Sequence, residues 1–91
     1  MPPAPPSASY AITEAYGYAV TRAEMKIREV VQPHYIVRVD VERNLALDKY
    51  TVRVRILNKD WSAHAEVNDV VEDFGNFPNE TLLTQVMMVA G

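Results

Sequence analysis

From His34 to Leu57 the chain alternates apolar and polar positions twice around a short polar break. Tyr35, Val37, Val39 and Val41 fall on one side of the first run; His34, Ile36, Arg38, Asp40 and Glu42 fall on the other. The second run sets Tyr50, Val52, Val54 and Ile56 against Thr51, Arg53, Arg55 and Leu57. A period of two in β-branched and aromatic residues predicts strands with one buried face. The pattern therefore predicts an antiparallel hairpin, apolar inside and arginine-bearing outside. Two registers keep each side chain on its face. One sets Val41 opposite Tyr50 and Arg38 opposite Arg53. The other sets Asp40 opposite Arg53 and Arg38 opposite Arg55. Each leaves one arginine pair opposed, a repulsion small enough in water to be tolerated.

The flanks carry weaker patterns. In Tyr10–Gln32, the residues Tyr16, Val20, Ala23, Ile27 and Val30 form one face of a long helix. Tyr10, Ile12, Tyr16, Tyr18 and Val20 also alternate, broken by Glu14. Gly17 is costly inside a helix, and the tyrosines suit a strand. The favoured reading is a strand, then a helix over Arg22–Gln32 opened by a Thr21/Glu24 capping box and stopped by Pro33. Asn58–Trp61 reads as a turn. Ala63, Val67, Val70 and Phe74 keep helical spacing, with Asp60 or Ser62 as a cap and Gly75 as the residue after the end. After a loop over Asn76–Asn79, the apolar stretch Thr81–Ala90 reads as a strand. The order β-α-β-β-α-β is the ferredoxin-like split βαβ. The expected fold is thus α+β, a single small domain with an antiparallel sheet and two helices on one face. The alternative is α-β-β-α with a long first helix.

The chain has 91 residues, enough for one domain, and the proline-rich opening Met1–Ser9 reads as a disordered tail before a domain spanning 10–91. A domain this small buries only about 60–65% of the surface its unfolded chain exposes, so self-association would add useful stability. The absence of cysteine excludes disulfides, thiolate catalysis and cysteine-based zinc sites. No apolar run approaches the ~20 residues of a membrane helix, and no basic segment precedes an apolar core; the expectation is a cytoplasmic protein without a membrane partner. The net charge of -3 is unevenly spread. Residues 22–55 carry eight Lys/Arg against five acids, whereas residues 56–91 carry Lys59 against six acids. Such asymmetry favours oriented association between copies.

Candidate chemistry centres on the open sheet face. Ile36, Arg38, Arg53, Arg55 and Leu57 make an arginine-and-aliphatic surface of the composition found at protein interfaces, and the single tryptophan Trp61 reads either as a plug at the edge of the core or as an anchor of an interface. Arginines near tyrosines on a sheet also suit single-stranded RNA or another polyanion. Against this stand the acidic balance and the lack of an RNP-type motif, which disfavour nucleic acid. On the predicted second helix, Glu66, Asp69, Glu72 and Asp73 form an acidic surface fit for a basic protein partner; Glu72 and Asp73 would oppose the helix dipole, so stability alone does not explain them. His34 and His64 could serve acid–base chemistry with a tyrosine in a small dimeric enzyme, but no metal-ligand spacing accompanies them. Ser62 lies too near His64 for a triad, and no glycine-rich phosphate loop occurs. These observations favour a non-enzymatic interaction or assembly module, a homodimer, with no cofactor and no metal.

Overall fold

The structure, a computed structural model, describes residues 17–73 and 77–91. Among them the order is helix α1 (Gly17–Arg28), strands β1 (Ile36–Asn44), β2 (Lys49–Leu57) and β3 (Ala63–Val71), and helix α2 (Glu80–Ala90). The strands form one antiparallel sheet in the order β1-β2-β3. The domain is α+β, as expected, but its described elements run α-β-β-β-α and not βαββαβ. The predicted tail lies outside the described residues.

The central hairpin follows the alternation. Asp40 faces Arg53 and Arg38 faces Arg55, the second of the two registers compatible with the pattern. Val37, Val39 and Val41 of β1 and Val52, Val54 and Ile56 of β2 are buried in one core, joined by Val67 of β3. Cross-strand rows result: Val37–Ile56–Ala65, Val39–Val54–Val67 and Val41–Val52–Asp69. Both helices seal this face. Val20, Ala23 and Ile27 of α1 and Leu82, Val86 and Ala90 of α2 enter the same core. Their spacing places each trio on one helical face.

Three expectations are corrected. First, Gly17–Val20 is helical, and the rest of the Tyr10–Val20 strand lies outside the described residues. Thr21 and Glu24 sit inside α1 and do not open it. The Glu24 carboxylate instead accepts the Val39 N–H at 3.0 Å, capping a donor on the outer edge of β1. The helix ends ahead of Pro33: Val30 and Val31 donate to the carbonyls of Ile27 and Arg28, and Val31 turns into the core. Second, Ala63–Val71 is a strand. Its helical spacing coexists with an alternation, Ala65, Val67 and Val71 inward, that two alanines and Asp69 disguise. The outer edge of β2 decides the outcome, because its buried backbone groups need partners that only a strand supplies. Gly75 and Phe74 lie outside the described residues.

Third, Thr81–Ala90 is helix. Leu82, Val86 and Ala90 recur every four residues, and Asn79, in extended backbone, accepts the Leu82 N–H on its side chain at 2.8 Å. That N-cap satisfies one of the donors a helix start leaves open. Asn79→Ala should lower the unfolding free energy by about 1 kcal/mol. Thr21→Ala, at an exposed site inside α1, should change it by less than about 0.5 kcal/mol. Urea denaturation followed by circular dichroism checks both.

Candidate functional site

The sheet face opposite the helices is open, and its side chains come from alternate positions of three strands. The rows are Ile36–Leu57–Ala63, Arg38–Arg55–Glu66, Asp40–Arg53–Asn68 and Glu42–Thr51–Val70. The opposed pair Arg38/Arg55 is relieved by diagonal contacts. Arg55 turns to Asp40, with Nη2 and Oδ2 3.0 Å apart. Arg53 donates from Nε to Glu66 at 2.7 Å, and Asn68 donates to the other Glu66 oxygen at 3.1 Å. Each of these arginines thus pairs with the carboxylate that stands opposite its neighbour. Arg38 has no ion-pair partner among the described residues. The three arginines of the face are matched in number by Asp40, Glu42 and Glu66, so the face is locally neutral. The hydrogen bond from Arg53, followed by that from Asn68, holds the Glu66 carboxyl below its usual range.

One end of this face is built differently. Between β2 and β3 the chain turns over Asn58–Ser62, closed by Asn58 N–H to Ser62 O and Trp61 N–H to Asn58 O, both at 2.9 Å. Asp60 accepts from the Ser62 hydroxyl and N–H, which hold its carboxyl below the usual carboxylate range. Trp61 takes φ 70°, in the left-handed region. Its ring is 62% exposed. Glycine is the usual occupant of that position in a three-residue hairpin loop, and a bulky residue there is a genuine outlier. Beside it the ladder shifts: Ile56 faces Ala65 but Leu57 faces Ala63, leaving His64 as an extra residue. Leu57 and Trp61, with Arg53, Arg55 and Glu66, line a shallow cleft of about 370 Å³. Leu57 is only 9% exposed, so it is part of the cleft's lining and not a projecting contact.

The irregularity at His64 has a second effect. Its ring stacks on Tyr35 at 4.4 Å, and Tyr35 in turn meets His34 at 4.0 Å. His64 Nε2 lies 2.7 Å from the carbonyl of Val89, near the end of α2. The Gln32 N–H reaches the Ala90 carbonyl at 2.9 Å, and the Gln32 side chain reaches Gly91 O at 3.2 Å. Carbonyls that a helix end leaves open are thereby bonded by distant residues. The two histidines and a tyrosine do come together, and His64 ties them to the end of α2. Among the described residues no group of His, Asp or Glu is arranged to hold a metal ion.

The arginines, Ile36 and Leu57 lie on the open side of the sheet, where the alternation puts them; Trp61 lies in the turn at one end of that face, exposed, and does not plug the core. Sequence reading misplaced the acids. Glu66, Asp69, Glu72 and Asp73 do not share a helix face: Glu66 is on the open face paired with Arg53, Asp69 is half-buried on the inner side, and Glu72 follows β3 and lies 3.9 Å from Lys49. The dipole penalty argued for Glu72 and Asp73 falls with the helix. The strain at Trp61 was invisible, because nothing in the residue types around it demands a positive φ.

Because Glu66 is held below its usual range in the folded state, it contributes stability at pH above the ordinary glutamate value, and this is lost as pH falls through the folded value. Arg53→Gln should move the Glu66 titration upward and flatten that part of the acid limb, as read by NMR titration of the side-chain carboxyl. Comparison with protein-family models, with curated proteins and with solved structures gave no match.

Proposed function

We propose that this protein is a non-enzymatic protein–protein interaction and assembly module that associates with itself, and that the Trp61 end of its open sheet face anchors contact. The observation that carries the reading is Trp61 itself. It combines a left-handed backbone with a largely exposed indole. Non-glycine residues in that region cost of order 1–3 kcal/mol and persist where something other than stability favours them. An exposed tryptophan beside a shallow cleft that Leu57 also lines, rimmed by arginines already oriented by carboxylates, has the make-up of an interface hot spot. The pre-set Arg53–Glu66 and Arg55–Asp40 pairs reduce the ordering that contact would otherwise require. Ile36, Arg38 and Leu57 extend the same surface, and Glu66 adds an acidic point for a basic partner group.

The local neutrality of the face weighs against a polyanion as its ligand. Binding to nucleic acid draws on an excess of cationic groups, and here each open-face arginine is numerically offset by an acid.

Trp61→Gly separates strain from contact. Glycine suits the backbone at that position, so the variant should unfold at equal or higher urea concentration than the parent. Its self-association, measured by sedimentation equilibrium over a range of protein concentrations, should weaken at least about tenfold, the loss typical of a hot-spot residue. A parent chain that stays monomeric at high micromolar concentration would defeat the self-association reading.

A further inference from the structure

The two edges of the sheet are not alike. On β1 the outward Val39 N–H, near the middle of the edge, is held by Glu24 from α1. On β3, beyond the irregularity at His64, the outward positions are Glu66, Asn68 and Val70, because alternate residues of an edge strand turn their backbone groups away from the ladder. The Val70 N–H is taken by the Asp69 carboxylate at 2.8 Å. The N–H groups of Glu66 and Asn68 have no partner among the described residues. An edge left open in this way is a template for another strand.

The flank beside this edge is unusual too. After Glu80, α2 carries no charged side chain, and Met87 and Met88 are 52% and 80% exposed. Packed on β3, this helix shows an uncharged surface where surface helices normally show charge.

We infer that two copies of this chain join along β3, antiparallel about a two-fold axis through Val67, to make one six-stranded sheet. The inference rests on the self-association proposed above and adds to the Trp61 contact a second one, along the strand edge. The two uncapped donors lie symmetrically about Val67. With the axis there, Glu66 of one copy and Asn68 of the other exchange N–H···O bonds, and the symmetric pair does the same. No bond needs the Val70 N–H. The side chains facing one another are then Glu66 against Asn68, Asp69 against Ala65 and Val67 against itself, so no like charges are opposed. An axis at Glu66 would set two carboxylates face to face. An axis at Asn68 would call on the donor that Asp69 holds. The axis also brings the two α2 helices to the same side of the joined sheet. Uncharged helices meet their own copies without repulsion, and the isologous seam requires that self-compatibility. The two open faces, with their Trp61 clefts, become one surface.

The natural absence of cysteine makes a direct test available. Across a non-hydrogen-bonded antiparallel pair the Cα atoms are about 4.5 Å apart, within the span of a disulfide. Under a glutathione redox buffer, Val67→Cys should form a covalent dimer faster than Glu66→Cys or Asn68→Cys, as read on non-reducing gels. Asn68→Pro provides a second readout that does not depend on packing at Val67. Proline is tolerated where an edge N–H faces outward. The variant should keep the circular dichroism spectrum of the parent and dimerise at least about 30-fold more weakly, the equivalent of losing two hydrogen bonds. Unimpaired dimerisation of Asn68→Pro, or faster crosslinking at Glu66 or Asn68, would overturn the β3 seam while leaving self-association in place. A parent chain that remains monomeric would overturn both.

Discussion

Everything in this fold leans on β2. Among the described residues it is the one strand with ladder partners on both sides, and Val52, Val54 and Ile56 are fully buried. Its inward row lies in the core between α1, which packs on β1, and α2, which packs on β3. Its outward row, Arg53 and Arg55, is where the carboxylates of both neighbouring strands converge. A strand buried on one face and bonded along both edges must find two partners, and that requirement recruits β3 from a segment of modest strand character. The sheet is thus organised from its centre outward, with regularity falling toward the β3 side.

This gradient explains what the sequence made legible. The hairpin was plain because β1 and β2 carry strict alternation of valines, isoleucine and tyrosines against charged residues. The fold class followed. Register was not determined, since the repulsion between opposed arginines is equal in both alternatives; only the diagonal reach of Arg55 to Asp40 and of Arg53 to Glu66 shows how the observed one is accommodated. The segment Ala63–Val71 was misread because its apolar residues satisfy both periods, and its choice depends on a distant strand's open hydrogen bonds. Thr81–Ala90 was misread for the opposite reason. Residue types suited to a strand outweighed the spacing of Leu82, Val86 and Ala90, and the local signal that resolves it, Asn79 as an N-cap, lay just upstream.

The candidate site divides in the same way. Which residues share the open face was readable, because alternation alone assigns faces. Their electrostatic state was not, because it depends on which acids β3 brings alongside. Glu66 was assigned to a helix and instead neutralises Arg53. The His34–Tyr35–His64 stack depends on one extra residue in the ladder at His64, and no pattern in residue type marks that position.

The charge asymmetry of the chain takes on a spatial meaning once β3 is placed. α1, with Arg22, Lys26 and Arg28, packs beside β1, whose outer edge is capped by Glu24. The acidic second half supplies β3 and the uncharged α2. One flank of the molecule is therefore charged, and its strand edge is capped at Val39. The other holds the uncapped strand donors, the uncharged helix and the left-handed tryptophan. Proteins commonly guard a strand edge with a covering side chain or an inward charge, and both devices occur here: Glu24 on β1 and Asp69 on β3. Asp69 blocks only Val70 and stops short of Asn68 and Glu66. A chain that needed the β3 edge silenced would gain from one more such residue there.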